Sequence, residues 1–448
     1  MTTSNELSRC VAQFDPQALP VSAAQAIVRQ WATPIVAAER VTLSDALDRV
    51  LAEDIVSPID VPAYDNSAMD GYAFDGAALA AAAQADGSVS LAVAGRALAG
   101  HPFTGNIDVT QCVRVMTGAL MPAGCDTVVP QEQVQGVQAV EGAQADQAAG
   151  DGQSIRFAAA ALRAGSNRRR AGEDLARGAP AVRAGRILRA SDLGLLASLG
   201  IGEVAVRRRL RVAFFSTGDE LRSIGQPLEP GCVYDSNRYT LLAMLRRLNF
   251  DAIDLGVVRD EPAALEKALL TAAASADVIL TSGGVSVGDA DLTKRLSRAL
   301  GDVAFWSLAM RPGRPMAFGR VWSGGRAGAG DPALFFGLPG NPVAVMVTFY
   351  QIVRDALLIM AGATPQPAPV LHAISAVPIR KRPGRTEFQR GTAQRAADGR
   401  WHVAPTGSQG SGVLSSMSEA NCFIVLAHDQ PDVDAGDTVD IMLFDGLI

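Results

Sequence analysis

LRVAFFSTGDEL (residues 210–221), DAIDLGVVRDEP (251–262) and DVILTSGGVSVGDADLTK (277–294) are the stretches whose reading decides the fold. Each opens on an apolar run of about one strand length and closes on Gly, Asp or Pro. Between them lie SNRYTLLAMLRRLN (236–249) and PAALEKALLTAAASA (262–276), which read as helices, and DLTKRLSRAL (291–300) follows the third run as another. Two more strand-length runs, VAFWSLAM (303–310) and ALFFGL (333–338), lead to a long helix over NPVAVMVTFYQIVRDALLIMAG (341–362). This alternation predicts a parallel, doubly wound sheet from about residue 208. GGRAGAGD (324–331) reads as a disordered hairpin insertion between two strands.

Working outward, the segments VSAAQAIVRQWATPI (21–35) and TLSDALDRVLAEDI (42–55) read as helices, the second with Ser44 as N-cap. A polar, turn-rich stretch, PIDVPAYDNSAMDGYAFD (58–75), precedes short β-like runs at 90–95, 112–119 and 127–134. The Ala/Gln/Gly-rich stretch 139–153 reads as a surface loop, and a helix is expected near 191–199. Past the Pro-rich TPQPAPV (364–370) the chain looks all-β. The 448 residues are 48% hydrophobic and 19% charged, enough for several packed domains. A formal net charge of -6 argues against a general nucleic-acid binder. Only Lys267, Lys294 and Lys381 of the 40 basic residues are not Arg, so anions here meet mostly guanidinium groups. Five scattered cysteines without a CxxC pair argue against a disulfide framework and a cysteine metal site. No uninterrupted apolar stretch approaches the ~18 residues of a membrane span, and the N-terminus lacks a secretory pattern, so a cytoplasmic enzyme is expected.

In an open α/β sheet, ligands bind outside the carboxyl ends of the strands. Five strand ends here carry Gly, Pro and charged residues, while the opposite edge carries little of note. Glu220, Asp260, Asp289 and Asp291 share those loops with Gly283, Gly284 and Gly288, whose backbone N–H groups suit an anion nest, and with Arg311 and Arg314. Each piece has a bland reading: turn glycines, helix caps at Asp260, Asp291 and Asn341, a solvated charge run at Arg168–Asp174. The combination is what needs explaining. Carboxylates beside an anion site repel it unless a hard cation lies between, which suits Mg²⁺ with substrate phosphates, and the arginines suit a second anion. Asp65 and Asp70 in AYDNSAMDGYA add a second polar focus. No GxxxxGK[ST] loop and no GxSxG elbow is present.

Taken together, PAYDNSAMDGYA, STGDEL, YDSNRYTL, SGGVSVGDADLTK, RPGRPMAFG and GLPGNPV resemble the molybdopterin molybdenumtransferase family, to which the E domain of gephyrin is similar. The resemblance runs from about residue 20 to the C-terminus. It implies a multidomain α/β protein with four parts: 18–56 with 165–207, an inserted β-rich 57–164, the doubly wound molybdopterin-binding-type domain 208–363, and a β-barrel 364–448. It implies insertion of molybdate into adenylylated molybdopterin with Mg²⁺-dependent release of AMP, by water or molybdate oxygen. Catalytic roles fall to Asp70, Glu220, Asp260 and Asp291, the last three as Mg²⁺ ligands. Substrate contacts fall to Thr117, Arg169, Asp174, Gly283, Gly284, Ser286, Gly288, Arg311, Arg314, Gly340, Asn341, Arg385 and Ser411. The resemblance further implies a homodimer whose sites draw on both chains, with the molybdopterin adenylyltransferase as a candidate partner. Some members carry Lys where this chain has Ser307, Arg311 and Arg314. An adenylyltransferase would leave AYDNSAMDGYA unexplained, and a pure scaffold would not need Glu220, Asp260 and Asp291.

Overall fold

A computed structural model describes residues 14–15, 18–83, 87–139, 153–284, 299–325 and 328–446. They form two compact units. One comprises the described residues of Met1–Ala52, Gly185–Arg189 and Val204–Ile448; the other is Glu53–Ala184 with Ala190–Glu203.

The first unit is built on a six-stranded sheet. Its strands are β1 (Arg211–Thr217), β2 (Asp251–Val258), β3 (Val278–Ser282), β4 (Gly301–Ser307), β5 (Pro315–Trp322) and β6 (Pro332–Leu338), in the order β2-β1-β3-β6-β5-β4. β1 pairs in parallel with β2 and β3, and β3 with β6. All of β3 and all but the first residue of β1 and β6 are buried, as expected of strands covered on both faces. One expectation is corrected here. The sequence reading names no strand between VAFWSLAM and ALFFGL, yet MAFGRVW is strand β5, antiparallel to both β4 and β6, so a reversed strand joins the expected parallel core. Residues 308–314 are too few for a crossover helix, so the chain can only hairpin back. β4 still points the same way as the parallel strands, and the RPGRP turn lies on their carboxyl edge.

Helix α1 (Val21–Trp31) packs on the sheet through an aromatic stack. Trp31 meets Phe318 edge-on at 6.2 Å, Arg320 covers the Trp31 ring at 4.5 Å, and Phe318 contacts Trp306 and Phe336 at 5.2 Å each. α2 (Ser236–Arg247) and α3 (Pro262–Ser275) follow β1 and β2. α4 (Pro342–Met360) contains a π turn at Phe349–Val353; it is apolar enough to cross a bilayer but is 72% buried as a core helix. The expected helix DLTKRLSRAL falls outside the described residues except for Ala299 and Leu300.

The expected helix over 42–55 does not form. A strand at Ala38–Thr42 ends in a single 3-10 turn, Leu43–Asp45, and Ser44 caps nothing, its hydroxyl meeting Thr42 Oγ1 at 2.7 Å. Asp48 then takes a left-handed φ of 59°, which no helix interior tolerates. Val50 and Leu51 are buried instead as extended backbone bridged to Ile187 and Val206.

Strands β7 (Leu371–Ser375), β8 (Thr386–Arg395), β9 (Trp401–Pro405), β10 (Cys422–Leu426) and β11 (Thr438–Leu443) close into a five-stranded barrel, the β8–β10 pairing completing the ring. A short strand, Met310–Arg311, pairs with Thr386–Glu387 and fastens the RPGRP turn to β8.

The second unit holds another six-stranded sheet, formed by Thr127–Pro130, Gly71–Phe74, Gln111–Val115, Ser88–Ala97, Gln153–Ala158 and Gln135–Ala139 in that spatial order. The low-complexity loop lies outside the described residues, but Ala139 and Gln153 at its two ends pair with each other. Ala190–Ser198 is the helix expected near 191–199.

Candidate active site

At the carboxyl edge, β1 runs out into Gly218-Asp219-Glu220. The Thr217 hydroxyl donates to Asp260 Oδ1, and the Asp260 N–H reaches Asp219 Oδ1 at 3.4 Å. Glu220 folds back over Gly218 so closely that a Cβ there would lie 2.6 Å from its Oε2. Asp260 is therefore not the helix cap its position suggested. Glu261 occupies the N-cap of α3, with Pro262 at the first turn and no side chain capping it. The side chain of Asp260 turns toward the end of β1 instead.

Gly283, at the end of β3, has φ +96°, and a Cβ there would sit 2.3 Å from the Thr217 carbonyl, so both the backbone and the space require glycine. Its N–H donates to Leu338 O at 3.2 Å. Asp235 caps α2 by accepting from Arg238 N at 3.2 Å, which aims Asn237 at the same edge. Asn237 Nδ2 donates to Ser282 Oγ at 2.8 Å and to Gly340 O at 2.7 Å, tying the ends of β3 and β6. Asn237 Oδ1, Asp235 Oδ2, Ser216 Oγ and Thr281 Oγ1 are buried without a partner among the described residues. Buried polar atoms are rarely left so, and their clustering here makes this edge the candidate for meeting a ligand. Gly284 continues the turn; Ser286, Gly288, Asp289 and Asp291 lie outside the described residues. Among the described residues no three His, Cys, Asp or Glu side chains form a metal-binding group.

On the β4–β5 side the edge is basic. Arg311 lines an open cleft of ≈ 710 Å³ with Arg380, Lys381, Arg382, Arg385, Glu387 and Asp432. Arg385 Nε is held at 2.9 Å by the buried Glu387. Lys381 donates to the carbonyls of Arg382, Arg385 and His428, and burial lowers its pKa, so its work is to shape the 382–385 turn. Arg314 Nε donates to Ser307 Oγ at 2.8 Å. Ser307 thus orients an arginine. Asn341 sits at the N-cap of α4 with no side-chain cap bond, and the Val343 N–H donates to Ser411 O at 3.1 Å, bringing the barrel loop onto the first turn of α4.

Arg390 holds that loop, and the sequence reading passed over it. It is 1% exposed and faces no carboxylate among the described residues. Its guanidinium donates to Ser408 O at 2.9 Å, Gln409 O at 3.2 Å, Gly410 O at 3.0 Å and Ser416 Oγ at 3.0 Å. Burial, then the charge of Arg311, lowers its pKa. The signal was present: Phe388 and Arg390 alternate onto the same buried face of β8.

In the second unit, AYDNSAMDGYA and the arginine run prove to be neighbours. Asn66–Ser67 pairs with Arg168–Arg169 as a short antiparallel ribbon, Asp65 Oδ1 accepts from Ala171 N at 2.8 Å, and Asp174 N donates to Val61 O at 3.0 Å. The run is therefore more than a solvated face. Asp70 Oδ1 accepts from Thr117 N at 2.7 Å and from Thr117 Oγ1 at 2.8 Å. These two bonds, the backbone one first, hold the Asp70 carboxyl below its ordinary pKa. Arg169 and Asp174 are exposed.

Residues 19–200 match the family described as MoeA N-terminal region (domain I and II), 213–358 a probable molybdopterin binding domain, and 372–444 the MoeA C-terminal region (domain IV). The chain is 41% identical over 411 residues to a molybdopterin molybdenumtransferase of Haemophilus influenzae, covering 92% of this chain and 95% of that one. It is 33% identical to the enzyme of that name from Nostoc, covering 90% and 88%. The crystal structure of a molybdopterin biosynthesis MoeA protein from Pyrococcus horikoshii superposes with a TM-score of 0.76 at 28% identity, covering 95% of this chain and 100% of that one. The chain belongs to the molybdopterin molybdenumtransferase family.

Proposed function

We propose that this chain is a transferase of molybdenum-cofactor biosynthesis that inserts molybdate into adenylylated molybdopterin and releases AMP. One observation carries the reading: a carboxylate turn at 218–220 with Asp260, and an arginine cleft around Arg311 and Arg385, stand on one sheet edge. β1 and β5 are three inter-strand steps apart, about 14 Å. That span suits an extended substrate whose phosphoanhydride lies at the acidic end and whose metal-accepting end lies at the basic one. Arg311 and Arg385 offer fork geometry to a tetrahedral dianion, Ser307 fixes the direction of Arg314, and Arg390 sets the loop that presents Ser411.

Glu220 and Asp260, with Asp291, would hold Mg²⁺. They are hard oxygen donors, and Thr217 engages only one oxygen of Asp260, which suits an ion that takes one or two carboxylates beside phosphates. Bound there, the ion would neutralise charge at the phosphoanhydride. Asp70, held ionised by Thr117, would complete the site from the second unit, in a homodimer whose sites draw on both chains. The four-part division at 56/57, 164/165, 207/208 and 363/364, a cytoplasmic location and an encounter with the adenylyltransferase that makes the substrate belong to the same reading. The test is to incubate purified protein with adenylylated molybdopterin, molybdate and Mg²⁺ and to follow AMP and the reconstitution of an apo-molybdoenzyme. The absence of both products would end the reading.

A further inference from the structure

The amino-terminal edge of the same sheet, opposite the carboxylates, holds a cavity of ≈ 190 Å³. Its floor is apolar: Val50, Leu210, Phe250, Leu358 and Ala361 are all buried and belong to the largest apolar cluster of the chain. Its rim carries six guanidinium groups, those of Arg49, Arg207, Arg208, Arg209, Arg247 and Arg354, against the single carboxylate of Asp48.

Local pairing explains part of this rim. Arg208 makes two 2.7 Å bonds to Asp277, Arg49 reaches Glu39, and Arg354 meets Asp355 at 3.0 Å. Arg247 stands in the last turn of α2, where a cation complements the helix dipole. The rest is not explained by pairing. Arg207 Nη1 donates only to the carbonyl of Val36, at 2.8 Å, and the Arg209 side chain has no partner among the described residues. Arg354 Nε is buried and unbonded among the described residues. Positive charge is therefore in excess around an apolar hollow. An anionic head would relieve the repulsion between guanidinium groups, and an apolar body would extend the core that the floor exposes. Neither a bare inorganic ion nor a neutral hydrocarbon would satisfy both. The volume is near that of an apolar cavity that takes one benzene ring, about 150 Å³.

We infer that this cavity binds a small amphipathic organic anion, one or two rings bearing a carboxylate or similar head. It is distinct from the proposed reaction site: the length of β1 separates them, about 20 Å. α2 runs between the two edges, with Asn237 at one end and Arg247 at the other.

Titration calorimetry of the full chain with 1-naphthoate, and with 1-naphthalenemethanol as its neutral counterpart, tests the inference. One saturable naphthoate site per chain is expected, with the alcohol at least tenfold weaker. Arg209→Glu should weaken naphthoate at least tenfold while melting as the parent does, and Arg209→Lys should stay within about threefold. Non-saturable binding, equal affinity for the alcohol, or indifference to Arg209→Glu would each overturn it. Should Arg209→Glu melt early, Arg207→Ala carries the same expectation of weakened naphthoate binding. Arg385→Ala in the other cleft should leave naphthoate binding unchanged, and a loss there would place the ligand in the wrong cavity.

Discussion

Replacing Arg390 by Met keeps a long apolar stem and deletes a guanidinium that makes four hydrogen bonds to Ser408, Gln409, Gly410 and Ser416. Bonds from a charged donor contribute about 1.5–3 kcal/mol each, but burial penalises the charge itself, as the lowered pKa records, so their sum overstates the loss. Swapping buried ions for apolar groups can be neutral when all partners change together. Here the acceptors are mainly main-chain carbonyls that stay behind, and buried acceptors left unpaired cost about 1–3 kcal/mol each, so a net loss of about 3–5 kcal/mol is expected once the relief of burying the charge is set against them. At roughly 2–4 °C per kcal/mol, Arg390→Met should melt about 6–20 °C lower by calorimetry. Because the 408–411 loop presents Ser411 to α4, molybdate-dependent AMP release should also need at least tenfold more molybdate. Arg390→Lys, with three donors on a point charge, should recover only part of either loss. A melting temperature within 2 °C of the parent would refute the clamp and leave the loop to the side-chain bonds of Gln409.

Asp260→Ala and Glu220→Gln should abolish Mg²⁺-dependent AMP release without lowering the melting temperature, whereas a loss of about 1 kcal/mol in Asp260→Ala would restore the helix-cap role. Burial pushes the thiols of Cys112, Cys125 and Cys422 up to about 12, while Cys232 is only half-buried. In a Cys10→Ser protein at pH 8, a thiol reagent should therefore modify Cys232 quickly and the other three only after denaturation; rapid reaction of a second thiol would contradict this. Asp277 feels a desolvation cost that raises its pKa, but the bonds from Arg208 and Arg211 outweigh it and the net shift is downward. Such a group adds stability above its unfolded pKa and loses it as pH falls through the folded value, so Asp277→Asn should flatten the acid side of the stability profile below about pH 4. Mixing Asp70→Ala with Asp260→Ala protein under conditions that exchange subunits should restore part of the AMP release, and no recovery would place Asp70 in its own chain's site.

Chemistry at the carboxyl edge is readable because each loop that follows a strand is one contiguous piece. Asp219, Glu220, Asp260, Gly283, Arg311 and Arg314 all stand within a few residues of an apolar run, so finding the strand finds the candidate residues. Strand β5 escaped notice because Pro312, Gly313 and Pro315 announce a turn, and Gly319 thins the run. That glycine is needed where β4 comes so close that a Cβ would lie 2.0 Å from Asp302 O. The false helix at 42–55 has the opposite cause. Ala46, Val50 and Leu51 repeat at helical spacing, yet that spacing also suits two turns and two bridges, and only Asp48 in a left-handed conformation separates the cases. Thr217 and Asp260 are 43 residues apart and no local pattern joins them. The amino edge is harder still. Its arginines arrive from residues 49, 207–209, 247 and 354, each ordinary where it stands: a residue beside the bridged Val50, a basic run before a strand, the last turn of a helix, the interior of another. A site assembled from what precedes strands and what ends helices leaves no motif, because no single loop contributes more than one wall. For that reason the edge that looked featureless in the sequence is where the folded chain adds most, and where an excess of arginine over carboxylate around an apolar floor suits the anion inferred above.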